Sequence, residues 1–182
     1  MKNLYTIKKV ENLPELKDAF ANGFIDLFDE CFNGAPYFLK YSDEELFKIY
    51  ADHFKTGFVL FSYLDGKMVG FAGSRPLLED EYIVDDVKTK FPNPEEYFYH
   101  SDLGVSKTQR GKGTAQMLIK ETIRLSPTRY VLMRTKDDNR ASIDLHLKMG
   151  FTHTGISQKG NGSAENDTRI YLVYDKEAKN NV

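Results

Sequence analysis

Arg110-Gly111-Lys112-Gly113-Thr114-Ala115 stands between a strand-like run, Tyr97 to Val105, and a stretch with helical periodicity. Ala115, Leu118, Ile119, Thr122 and Ile123 fall at i, i+3, i+4, i+7 and i+8, one apolar stripe, and Pro127 ends it. A glycine-rich turn that opens a helix suits an anion. The first N–H groups of the helix lack intrahelical partners, the helix dipole adds partial positive charge, and glycine lets the backbone approach phosphate oxygens. The turn is expected to bind a phosphorylated ligand, against the plainer reading of a helix start with spare glycines. Two nucleotide fingerprints are excluded. Gly113 stands where a Walker A loop needs Ser or Thr, and Gly111 and Gly113 lack the third glycine or alanine of the dinucleotide motif.

A second motif lies downstream, after one strand-like run from Tyr130 to Thr135. Asn139-Arg140-Ala141-Ser142-Ile143-Asp144-Leu145-His146-Leu147-Lys148-Met149-Gly150-Phe151 resembles the Asn-x-x-Ala-x-x-Leu-Tyr-x-Lys-x-Gly-Phe pattern of the GNAT superfamily of N-acetyltransferases. Arg110-x-x-Gly113-x-Ala115 is similar to the Gln/Arg-x-x-Gly-x-Gly/Ala signature of the same family. Asn139, Leu145, Lys148, Gly150 and Phe151 match in register, whereas Ser142 replaces alanine and His146 replaces tyrosine.

The resemblance implies acetyl-CoA as co-substrate. Its pyrophosphate would lie on Arg110, Gly111, Lys112, Gly113, Thr114 and Ala115, and its pantetheine arm along the main chain of Leu103 and Val105. A backbone N–H near Val105 would be the oxyanion donor. His146 falls where the family keeps its general-acid tyrosine, and Ser101 where it most often keeps a glutamate base, so His146 and Ser101 are the catalytic candidates. Tyr97 and Tyr99 share the parity of Ser101 and are expected to line the acceptor pocket. His100 and Asp102 point to the opposite face on strict alternation, unless the strand bulges.

Helix geometry places Asn139, Ser142, His146 and Met149 on one stripe beside Ile143 and Leu147, with Arg140, Asp144 and Lys148 toward solvent. The resemblance makes Asn139, Ser142 and His146 cofactor-binding candidates, and their shared inward face agrees with it. A satisfied core histidine is the competing reading of His146.

The 182 residues fit a single domain over 1–182, with a core from about 3 to 175 and a polar tail, 176–182. Apolar content of 41% and charged content of 29% describe a soluble globular chain, and a net charge of −2 gives no footprint for nucleic acid. One cysteine, Cys31, excludes an intrachain disulfide and suits a reducing compartment. The four histidines have no metal-ligand spacing, so no metal is expected. Met1 to Val10 lacks an apolar h-region, so no signal peptide is expected, and no apolar run approaches the ~20 residues of a bilayer span; a cytoplasmic protein is the default expectation.

Strands are expected at Asn3 to Val10, Phe58 to Leu64, Met68 to Ser74, Phe151 to Ser157 and Thr168 to Tyr174. One helix is expected over Leu13 to Phe32. Another begins after the capping box Ser42/Glu45 and runs to about Phe54. Asp65-Gly66 is a hairpin turn. Leu77 to Glu96 reads as an extended acidic insertion. Its seven acids and two lysines between Glu79 and Glu96 suit a cationic amine acceptor, or simply a solvated loop.

The order β-α-α-β-β-β-α-β-α-β-β makes an α/β fold with a mixed, mostly antiparallel central sheet and helices on both faces, the GNAT (acyl-CoA N-acyltransferase) fold. The expected activity is acetyl transfer from acetyl-CoA to a primary amine of a small molecule or peptide by direct attack, in a monomer or homodimer with no membrane partner. A longer acyl-CoA, a non-catalytic CoA-binding regulator and a generic phosphate-binding module are the alternatives.

Overall fold

The computed structural model describes residues 4–159 and 167–178. The elements are β1 (Tyr5–Lys9), α1 (Leu13–Ala19), α2 (Ile25–Phe32), α3 (Asp43–Thr56), β2 (Phe58–Leu64), β3 (Lys67–Pro76), α4 (Asp85–Lys88), β4 (Tyr97–Val105), α5 (Thr114–Leu125), β5 (Tyr130–Lys136), α6 (Arg140–Lys148), β6 (Thr152–Lys159) and β7 (Thr168–Asp175). Seven strands form one sheet in the order β1-β2-β3-β4-β5-β7-β6. β4 and β5 pair in parallel, while β1/β2, β2/β3, β5/β7 and β6/β7 are antiparallel. Among the described residues no helix is long and apolar enough to cross a membrane. Asn3, most of the polar loop between β6 and β7 and the end of the tail lie outside the described residues.

The chain forms two compact units, one of Met1–Ser74 with Asp102–Thr122, the other of Arg75–Ser101 with Ile123–Val182. In the first, the β1–β3 meander carries helices on both faces. A Cβ at Gly70 would touch Leu118 of α5, and one at Gly73 would run into His53 of α3. Three residues apart on a regular strand, the two glycines point to opposite faces. An aromatic cluster fills the α1–α3 side. Phe24 packs edge-on against Tyr50, Phe61 and Phe71 at centroid distances of 4.6, 5.1 and 5.0 Å. Ser42 and Glu45 cap α3 reciprocally, and Asp65 and Gly66 turn the β2–β3 hairpin at φ of 50° and 83°. The helix expected over Leu13 to Phe32 is broken at Asn22 and Gly23. Gly23 takes φ of 102°, a left-handed conformation that a continuous right-handed helix cannot include.

In the second unit the segment between β3 and β4 corrects the expectation of an extended insertion. It makes short helical turns at Leu77–Glu79, Asp85–Lys88 and Pro94–Glu96. Leu77, Ile83, Val87 and Phe91 are buried with Tyr97, Tyr99, Leu132 and Tyr171. Asp80, 1% exposed, meets Arg75 Nε at 3.0 Å and accepts from the Tyr82 and Ile83 amides. Arg134 donates to the Tyr82 carbonyl. Burial of apolar side chains and this internal ion pair hold the segment against the strands.

Candidate active site

The phosphate turn is built entirely within the first unit. After β4 the chain makes a short 3-10 turn, Lys107–Gln109, then passes through Arg110 to Gly113 into α5. Gly111 and Gly113 take φ of +75° and +90°. A Cβ at either would meet no atom within 4 Å, so backbone conformation selects glycine here, not lack of space. Glu30, near the end of α2, accepts from the Lys107 amide, and Tyr5 donates to Gln109 Oε1 at 2.8 Å. Arg110 Nε donates to the Val105 carbonyl at 3.2 Å, and the Ser106 amide donates to the Val69 carbonyl of β3. These four contacts fix the turn from outside itself. Glu30 and Tyr5 carry no local sequence signal for that role.

The turn fits a diphosphate. The first amides of α5 lack intrahelical partners. Thr114 Oγ1, at the first helical residue, is a buried hydroxyl with no hydrogen-bond partner. Gly111 and Lys112 are exposed. Burial pushes the neighbouring Cys31 thiol up to about 11, so it is protonated at neutral pH and inert. Leu103 is half-buried and the Val105 side chain is buried.

The second unit holds the other expected residues. Asn139 is the N-cap of α6, its side chain accepting from the Ser142 amide at 3.3 Å. His146 is 1% exposed, edge-on to Phe151 at 5.0 Å and 6.0 Å from the His100 ring. Its Nδ1 lies 2.8 Å from the Ser142 carbonyl. A carbonyl only accepts, so Nδ1 carries the proton and neutral His146 offers a lone pair at Nε2. That nitrogen is buried with no hydrogen-bond partner. Donating a proton from Nε2 requires the imidazolium, and burial pushes the His146 pKa down to about 4. The ring therefore suits an acceptor at neutral pH better than an acid.

Leu147, expected beside the buried stripe of α6, is 38% exposed, whereas Ile143 is buried. Tyr97 and Tyr99, expected in an acceptor pocket, are buried in the aromatic cluster with Phe91 and Tyr171. Ser101 is half-buried on β4. Asp102 pairs with His53 of α3, a contact that no sequence spacing suggests. Among the described residues no group of three or more His, Cys, Asp or Glu is placed to hold a metal ion.

Comparison with known proteins gives the family. A candidate acetyltransferase of Acinetobacter baylyi superposes with a TM-score of 0.70 at 19% identity, over 97% of this chain and 96% of that one. The ribosomal-protein-S18-alanine N-acetyltransferase of Escherichia coli gives 0.64 at 15% identity, over 94% of each chain. A candidate acetyltransferase of Salmonella typhimurium, solved with its cofactor acetyl-CoA, gives 0.66 at 17% identity, also over 94% of each. At these identities the likeness establishes the fold. No curated protein matches the chain by sequence. The model of the acetyltransferase (GNAT) family matches residues 21–151, most of the chain, and the mixed sheet with its glycine turn agrees: the protein belongs to the GNAT family of acetyltransferases.

Proposed function

We propose that this acetyltransferase moves the acetyl group of acetyl-CoA to a primary amine of a small molecule or peptide by direct attack. The observation that carries the reading is the turn at Gly111 and Gly113, held in left-handed backbone conformation at the start of α5. The amides of Gly111 to Ala115, with Arg110, Lys112 and the Thr114 hydroxyl, would hold the pyrophosphate. The main chain at Leu103 and Val105 would hold the pantetheine arm, and the Val105 amide would face the developing oxyanion. Acetyl-CoA supplies the activated thioester; the protein supplies position and charge.

The acceptor is a cationic amine in this reading. Glu79, Glu81, Asp85, Asp86, Glu95 and Glu96 are all exposed, whereas Asp80 is spent on Arg75 and cannot steer a ligand. The test is thiol release from acetyl-CoA over a panel of spermidine, lysinamide, glycinamide and an alanyl peptide, with CoA binding measured by calorimetry. Thiol release fastest with spermidine or lysinamide supports the reading. CoA binding without turnover on any amine supports instead a CoA-binding regulator, which a histidine in place of the family's tyrosine would permit.

A further inference from the structure

β4 and β5 run parallel, and their ladder stops early. Tyr97, Phe98, Tyr99 and His100 pair with Tyr130, Val131, Leu132 and Met133, while the strands themselves run on to Val105 and Lys136. In open α/β sheets ligands bind in the crevice at the carboxyl ends of the strands. The first residues beyond the last pair are Ser101 on β4 and Arg134 on β5. On regular strands they share the face of Tyr99 and Leu132, which belong to the buried cluster of the second unit. Both are half-buried, and both lie in that unit.

Arg134 is held in place by uncharged groups. It donates from Nη1 to the Tyr82 carbonyl at 2.8 Å and also bonds to the Tyr171 hydroxyl. Tyr171 in turn donates to Gln158 Oε1, so its oxygen is left to accept from the guanidinium. Asp80 acts on Arg134 at longer range. Its own oxygens are engaged elsewhere, Oδ2 by Arg75 Nε and Oδ1 by the Tyr82 and Ile83 amides. Among the described residues no carboxylate forms an ion pair with Arg134. Two guanidiniums therefore share one buried carboxylate, and the group is one negative charge short. Clasping the Tyr82 carbonyl needs no charge, because a neutral amide would do it. A guanidinium carries five N–H donors in a planar fork that matches a carboxylate, and Tyr82 and Tyr171 do not use them all.

We propose that Arg134 binds a carboxylate carried by the amine acceptor, so that the substrate class is an amino carboxylate: an amino acid, or a peptide with its own carboxylate free. The proposal rests on the reading above that an amine is the acceptor. The exposed acids of the β3–β4 segment draw the ammonium end of such a zwitterion, and the half-buried guanidinium takes the other end. Arg134 contributes binding and orientation and moves no proton.

The experiment compares lysine with lysinamide, and alanylalanine with its amide, as acceptors in wild type, Arg134→Gln and Arg134→Lys. The two amines of a pair differ in basicity, and comparing their kcat/KM ratio between proteins cancels that difference. The ratio should favour the carboxylate member of at least one pair by about 10- to 100-fold more in wild type than in Arg134→Gln, the range for hydrogen bonds to charged groups. Arg134→Lys, which keeps the charge and loses the fork, should fall between them. A purely structural role would lower both members of a pair alike and leave the ratio as in wild type, which overturns the proposal. A preference in the lysine pair alone assigns a free amino acid, and one in the alanylalanine pair alone assigns a peptide.

An independent readout is calorimetry on CoA-saturated wild type, where the carboxylate member of the preferred pair should bind about tenfold or more tightly than its amide. Equal affinity within both pairs overturns the proposal, and this measurement decides alone if no Arg134 variant folds. A wild type active on lysinamide or spermidine that shows no carboxylate preference overturns this proposal only. A wild type that binds CoA yet releases no thiol with any amine overturns the acetyl-transfer reading and this proposal with it.

Discussion

Lowering the pH should destabilise this protein through His146, and the structure gives the size of the effect. The imidazole titrates near 6.5 when the chain is unfolded and at about 4 in the fold, because burial disfavours its charge. Between those values the unfolded chain binds more protons than the folded one, so stability falls as pH falls. The contribution is fully retained above 6.5 and is lost progressively down to about 4. From about pH 7.5 to about pH 4.5 the loss from this one group is on the order of 2–3 kcal/mol, a large part of a typical domain's ~5–15 kcal/mol.

His146→Phe removes the titration and keeps an aromatic ring against Phe151. Urea unfolding of both proteins at the two pH values isolates the term. Asp167, Asp175 and Glu45, all lowered by hydrogen bonds or neighbouring cations, titrate in both proteins and cancel in the comparison. The variant should lose less stability in acid than wild type by about 2–3 kcal/mol. An equal acid loss in both would refute the assignment of His146 as a buried neutral imidazole. It would reopen a general-acid role as well, since that role needs a proton on Nε2 near neutral pH.

Other outcomes follow from the same geometry. Gly113→Asp puts an L residue at φ of +90° and a negative charge at the turn, and should weaken CoA binding in calorimetry by about tenfold or more. Gly104→Ala would set a Cβ 2.3 Å from the Phe71 ring and 3.1 Å from Cys31 Sγ. It should cost about 1–3 kcal/mol in urea unfolding, and no loss would mean β4 and Phe71 are less tightly packed than described. Asp80→Asn leaves Arg75 buried without its anion and should cost about 3–5 kcal/mol in the same assay. For a cationic amine, kcat/KM should fall as salt rises and in Asp85→Asn/Asp86→Asn, because surface attraction is screened. Insensitivity to both would exclude steering by these carboxylates.

Sequence alone determined the elements whose signals are local. The strand Tyr97–Val105 has its expected bounds, and the Ser42/Glu45 capping box and the Asp65-Gly66 hairpin form as read, because each depends on residues a few positions apart. The order of those elements and the two motifs were enough for the family. Tertiary structure decided what periodicity cannot register. Within the helix expected over Leu13 to Phe32, the apolar residues Leu16, Phe20, Phe24, Leu27, Phe28 and Cys31 keep helical spacing straight through Gly23, yet spacing carries no information on the sign of φ. Leu77, Ile83, Val87 and Phe91 follow no single period because they lie on successive short turns, and only packing against Tyr97, Tyr99 and Tyr171 makes them core. Asn139 and His146 were visible as polar residues on α6. That one caps the helix, and that the other holds its proton on Nδ1, depended on the backbone of Ser142. The pairing of His53 with Asp102 required folding, because the space that permits it is made by a third residue, Gly73, on another strand.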